Sequence, residues 1–143
     1  MMRNAERFAF TAAHSELGEA SLLPHLPITL VYQGLSVAGM GLLDTGATVN
    51  VLPYAMGIEL GAVWEPQATS VRLTGNLAQF EAHPLIVSAL VSRFDSIRLV
   101  FAWTRADHIP LILGQVNFFM EFDVCFYRSQ QIFEIHPKKS EVT

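Results

Sequence analysis

Apolar residues along this chain come mostly in short runs rich in Val, Ile, Leu and Phe, each bounded by Gly, Pro, Asn or Asp. That punctuation predicts a mainly β protein. Phe8 to Thr11 reads as a first edge strand, and Glu16 to His25, with Gly18, Ser21 and Pro24, as a loop. Ile28 to Tyr32 and Leu35 to Leu43 flank Gln33-Gly34 and predict a hairpin. Asp44 to Ala47 follows as a loop, then a short strand through Val49 and Val51. Pro53 to Leu60 is the first helical segment, with proline tolerated in the first turn and Gly61 placed to cap the end. Ala68 to Leu73 and Ala78 to Ala89 read as two strands around a hairpin tip, Thr74-Gly75-Asn76. Ile97 to Trp103 is another strand. Leu111 to Leu113 is a short buried strand ending at Gly114, after which Val116, Phe119 and Met120 suit one face of a short helix. Phe122 to Tyr127 and Gln131 to Ile135 form a closing hairpin over Arg128-Ser129-Gln130. The polar stretch Pro137 to Thr143 reads as a frayed tail.

Composition narrows the picture. A chain of 143 residues, 51% hydrophobic and 15% charged, suits one well-packed domain rather than a disordered segment. The net charge is −4 with Lys and Arg scattered, which argues against a nucleic-acid or anionic-membrane surface. A single cysteine, Cys125, rules out an intrachain disulfide. Its place in Phe122-Asp123-Val124-Cys125-Phe126 suggests a buried, inert thiol. No apolar stretch is long enough to span a bilayer and no signal peptide is visible, so a cytoplasmic location is the expectation.

The candidate chemistry lies in Leu42-Leu43-Asp44-Thr45-Gly46-Ala47, which occurs once. Two apolar residues set Asp44 at the end of a buried strand. Gly46 permits backbone angles and close approaches that a side chain would block. Ala47 is small enough to leave space beside the carboxylate. Taken alone, the motif is equally an ordinary strand-ending turn in which Asp44 bonds its own backbone.

A second feature separates these readings. Pro110-Leu111-Ile112-Leu113-Gly114 precedes the helix candidate and the closing hairpin. This order resembles the retropepsin-like aspartic proteases, over roughly residues 28 to 135. In that family an apolar-apolar-Asp-Thr/Ser-Gly-Ala motif carries the catalytic aspartate. A flap hairpin with glycine at its tip follows, and an apolar-apolar-Gly segment then crosses behind the active loop.

The resemblance implies a closed acid-protease β-barrel over residues 25–136, preceded by an N-terminal extension (1–24) and followed by a polar tail (137–143). It also implies a homodimer in which each subunit supplies one Asp44 and acts on peptide or protein substrates. Thr45 would bond across the dimer axis, and the Gly46 backbone would bind substrate. Ala47, Thr48, Ile112 and the tip residues Thr74, Gly75 and Asn76 would line the substrate cleft. Neither a cofactor nor a metal is implied. The same fold could instead serve as a catalytically silent dimerisation or peptide-binding module.

Two departures matter. Retroviral members carry an Asp directly after the Asp-Thr-Gly-Ala motif and an Arg directly after the apolar-apolar-Gly motif, and the two side chains pair. Here those positions hold Thr48 and Gln115, so both ends of the pair are lost together and no orphan charge remains. Ala47 carries a further expectation. A hydroxyl there would favour the ionised carboxylate, and alanine offers none. The pH optimum should therefore be less acid than in pepsin-type enzymes. A pH–rate profile peaking below about pH 3, under the usual carboxylate range, would overturn this.

The five histidines (His14, His25, His83, His108 and His136) show no metal-ligand spacing and read as surface or structural residues. Glu121 and Asp123 fall at the end of the short helix and the start of the next strand, without the Thr-Gly context of a second catalytic aspartate. No Gly-x-Ser-x-Gly elbow or Gly-rich phosphate loop is present. Trp64 and Trp103 read as core or pocket-wall residues.

Overall fold

The computed structural model describes residues 5–14, 20–66, 69–106 and 108–139. Its strands are β1 (Glu6–Ala9), β2 (Thr11–His14), β3 (Ala20–Leu23), β4 (His25–Tyr32), β5 (Leu35–Leu43), β6 (Asn50–Leu52), β7 (Ala82–Leu90), β8 (Ile97–Thr104), β9 (Leu111–Leu113), β10 (Phe122–Tyr127) and β11 (Ile132–Pro137). Among the described residues, two short α-helices, α1 (Tyr54–Glu59) and α2 (Phe118–Glu121), and two 3₁₀ turns, Gly75–Leu77 and Arg128–Gln130, accompany the strands. Six strands close a barrel in the order β4-β5-β9-β6-β8-β7.

The period-two pattern explains which face turns inward. Leu26, Ile28 and Leu30 on β4 and Leu85, Val87 and Ala89 on β7 are buried, while their neighbours Pro27, Pro84, Ile86 and Ser88 are exposed. Leu99, Phe101 and Trp103 on β8 complete the barrel interior. β9 is different. It runs parallel to β5 on one side and antiparallel to β6 on the other, and Leu111 and Leu113 are both buried. An uninterrupted apolar run is what a central strand of this kind requires.

A smaller sheet, β1-β11-β10, lies beside the barrel. Phe8 stacks on Phe133 at 5.3 Å between ring centroids, and Phe118 stacks on Phe122 at 5.2 Å. Phe118, Phe122 and Phe133 are all essentially buried and belong to the main core. Of the strands before residue 25, β1 shares a sheet with the rest of the chain by pairing with β11, whereas β2 and β3 pair only with each other.

Several expectations change. The first strand is two, because the chain breaks at Phe10, whose backbone N–H donates to the Gln131 carbonyl at 2.8 Å. The loop expected from Glu16 to His25 contains β3 and the first residue of β4; its residues 16–19 lie outside the described residues. Pro53 precedes α1 as its cap rather than sitting inside it. The flap hairpin is not formed as two strands. Residues 69–74 carry no regular structure, Gly75–Leu77 form a 3₁₀ turn, and β7 starts only at Ala82. Among the described residues, one bond, from Val71 N–H to the Ala82 carbonyl at 2.8 Å, ties the two arms. Ala68 lies outside the described residues.

Near the C-terminal end, α2 buries Phe118, whereas Val116 precedes the helix and, like Met120, is exposed. Cys125 is exposed, because alternation along β10 turns Val124 towards the core and Cys125 outward with Asp123. Pro137 belongs to β11, and Lys138 N–H donates to the Glu121 carbonyl, so the stretch expected to fray is anchored at its start. Residues 140–143 lie outside the described residues.

Candidate active site

β5 ends at Leu43, and Asp44 leaves the barrel still tied to it: its N–H donates to the Leu113 carbonyl at 3.0 Å. The next residues form a tight turn. Ala47 N–H returns to the Asp44 carbonyl at 3.1 Å, and Gly46 N–H donates to Asp44 Oδ1 at 2.9 Å. One carboxylate oxygen is thereby oriented by the turn itself. Asp44 is half-buried, while Thr45 and Gly46 are exposed.

The segment after β9 forms the bed for this turn. Gln115 N–H donates to the Ala47 carbonyl and Val116 N–H to the Thr48 carbonyl, both at 2.9 Å. The approach at Gly114 leaves no room for a side chain, since a Cβ there would lie 2.5 Å from the Val49 carbonyl oxygen and 2.8 Å from that of Ala47. Glycine is thus required by contact, not by conformation.

A pair of asparagine amides, Asn50 buried and Asn117 half-buried, holds the bed to the barrel. Asn50, fully buried, accepts the Gly114 N–H on Oδ1 at 2.8 Å and donates through Nδ2 to the Val100 carbonyl and to Asn117 Oδ1. Asn117 in turn accepts the Val100 N–H and donates to the Arg98 carbonyl, both at 2.9 Å. Sequence reasoning missed both asparagines. The signal was available: an Asn between Val49 and Val51 in a buried strand needs partners, because buried polar groups are nearly always bonded. Asn50→Ala should cost about 1–3 kcal/mol, since it orphans the buried Gly114 N–H and removes the donor to the Val100 carbonyl. Urea unfolding checks this, as a lower midpoint at unchanged slope.

Asp44 opens into a cavity of about 260 Å³. Its walls include Gly46, Ala47, Thr48, Thr74, Gly75 and Ile112 from the sequence-derived set, together with Val49, Val51, Leu73 and Leu77. Nothing in the sequence marks the last four as site residues, because their spacing suits strand or flap positions equally well. Thr45 is not in the wall; it is exposed on the turn. Gly75 has φ +64°, a left-handed conformation that glycine adopts without strain, and Asn76 follows it in the same turn.

The aromatic residues lie elsewhere. Trp64 stacks on His83 at 3.9 Å and meets Trp103 edge-on, with Arg105 above Tyr54 and Trp64. His83 is buried within that cluster. Among the described residues, no three His, Cys, Asp or Glu side chains come together to hold a metal ion. No helix among them is long and apolar enough to cross a membrane.

A closed six-stranded barrel, an Asp-bearing turn at the end of β5 and a β9–Gly114 segment bedded against it define the retropepsin-like fold. Among solved structures, the chain is similar to a retropepsin-like aspartic protease from Rickettsia conorii, at 16% identity and a TM-score of 0.55, over 92% of this chain and 90% of that one. It also aligns with the EIAV protease complexed with the inhibitor HBY-793, at 21% identity and a TM-score of 0.46, over 72% of this chain and 88% of that one. No family model and no curated protein matches the sequence.

Proposed function

We propose that this chain is an aspartic endopeptidase that works as a homodimer, with one Asp44 from each subunit. The observation that carries the reading is the setting of Asp44: a half-buried carboxylate, oriented by Gly46 N–H, at the mouth of a cavity walled by Val49, Val51, Leu73 and Ile112. One such turn per chain gives half of a two-carboxylate site.

Two carboxylates about 3 Å apart cannot both ionise cheaply, so the pair shares a proton and titrates as a unit. The ionised Asp44 takes a proton from a water held between the two while the oxygen attacks the scissile carbonyl. The protonated partner gives its proton to the carbonyl oxygen. The first Asp44, now carrying the proton taken from water, passes it to the leaving amine as the C–N bond breaks, and a hydroxyl of the intermediate returns a proton to the partner. Thr45, outside the cavity wall, faces the second copy and links the two turns, while the Gly46 backbone, Thr48 and the Thr74–Gly75 turn hold the peptide. The apolar walls favour substrates with apolar side chains beside the scissile bond, because burying them is the main favourable term the cavity offers.

The test is incubation with an unfolded protein from about pH 3.5 to 7, across the range where a coupled carboxylate pair changes protonation. Sedimentation of the same samples gives the oligomeric state. Cleavage whose rate per subunit falls on dilution, in step with loss of the dimer, is the expected result. A folded dimer that cleaves nothing at any pH would make the silent peptide-binding module the better reading. A monomer at high concentration would remove the mechanism.

A further inference from the structure

Gln115 stands where the retroviral pattern has an arginine, and its expected ionic partner is absent because position 48 is threonine. The lost pair leaves no gap in the support of the loop. Gln115 Nε2 donates to the Thr45 carbonyl at 2.9 Å, while its own backbone N–H donates to the Ala47 carbonyl at 2.9 Å. The same residue therefore grips the turn at two points, on either side of Gly46. Between them lies the Gly46 N–H that orients Asp44 Oδ1.

We propose that Gln115 is a positioning residue: its side-chain amide fixes the Thr45–Gly46 peptide unit and, through the Gly46 N–H, the direction of the Asp44 carboxylate. The Thr45 carbonyl belongs to the same peptide plane as the Gly46 N–H, and that plane rotates as one body. A donor on the carbonyl side therefore restrains the N–H side. Four backbone bonds fix the ends of the turn, from Asp44, Ala47, Gln115 and Val116 N–H groups. None of them touches the Thr45 carbonyl, so the Gln115 side chain supplies a restraint the backbone ladder does not. Gln115 and Thr45 are both exposed, which suits a role in orientation better than one in stability. The tie is also neutral, so salt should weaken it less than the ion pair it replaces.

The catalytic part of this inference rests on the endopeptidase reading; the restraint on the turn does not. Two measurements on the full-length protein separate them. The first is amide hydrogen exchange at Gly46 in wild type, Gln115→Ala, Gln115→Glu and Gln115→Arg. Glutamate has the length of glutamine but presents no N–H, whereas arginine restores donors. Exchange should quicken about five- to tenfold in the Ala and Glu variants, the weight of one neutral hydrogen bond, and return towards wild type in the Arg variant. Thermal midpoints should stay together, because the residue is exposed.

The second measurement is peptide cleavage. A fall in kcat of roughly tenfold with KM unchanged, rescued by arginine, is the expected pattern for a group that aligns the acid–base pair without binding substrate. Unchanged Gly46 exchange in both Gln115→Ala and Gln115→Glu overturns the proposal, whatever the activity. Altered exchange in a protein that cleaves nothing supports the restraint and counts against the endopeptidase instead.

Discussion

Asp44→Asn is expected to reduce peptide cleavage by roughly 10³-fold or more while leaving the fold and the proposed dimer intact. The substitution is nearly isosteric. Asparagine keeps a side-chain oxygen to accept the Gly46 N–H at 2.9 Å, and the Asp44 backbone bond to the Leu113 carbonyl is untouched. What disappears is the only group in the turn able to take a proton from water. The loss should be visible even in mixtures. In a homodimer with one Asp44 from each subunit, a wild-type subunit paired with an Asp44→Asn subunit holds a single carboxylate. Adding an excess of the variant to wild type should then suppress activity by subunit exchange, beyond simple dilution. Residual activity in proportion to the wild-type subunit fraction would mean that each chain works alone, and the two-carboxylate mechanism would fail.

Gly114→Ala is expected to damage both stability and site. A Cβ placed 2.5 Å from the Val49 carbonyl oxygen and 2.8 Å from that of Ala47 meets backbone on both counts, and no side-chain rotation relieves it. Overpacking of this kind costs about 1–3 kcal/mol. The strand and the turn must also move apart, which loosens the bed under Ala47 and Thr48. A misplacement of about 1 Å at the acid–base pair can cost on the order of 10² in rate. Denaturation should therefore show a lower midpoint, and the activity remaining under folding conditions should fall by more than the folded fraction does. If activity simply tracks the folded fraction, the bed does not control the geometry of Asp44.

The contrast between these positions and the flap shows what the chain makes legible. Leu111 to Gly114 is readable because a central strand must be apolar throughout, and because Gly114 answers a close contact. The hairpin from Leu35 to Leu43 is readable because local alternation and Gln33-Gly34 agree. The segment around Thr74 misled because Ala68 to Leu73 mixes Val71 and Leu73 with polar residues at strand spacing. Among the described residues its cross-strand tie to β7 is the single Val71 N–H bond to Ala82, and the apolar side chains instead join a small cluster with Val51 and Ala102. β3 was hidden for a related reason. Ser21 and Pro24 look like loop residues, and the pairing that makes Ala20–Leu23 a strand depends on β2, not on a pattern within itself.

Residues of the candidate site follow the same division. Asp44, Gly46 and Ala47 announce themselves by type and order. Asn50 and Gln115 act through hydrogen bonds to groups some 64 and 70 residues distant in sequence, and no local pattern carries that information.

The parallel register of β5 with β9 also sets an order of events. Leu43 lies opposite Leu113, and the Asp44 N–H finds its acceptor only there. During synthesis, the aspartate leaves the ribosome long before the residues that shape its turn, and contacts so far apart in sequence are slow to form. A nascent chain that stops before Leu111 holds the carboxylate but not its frame. Under the endopeptidase reading, competence to cut would then arrive only once Leu113 has emerged and paired with Leu43, which would spare the growing chain and its neighbours.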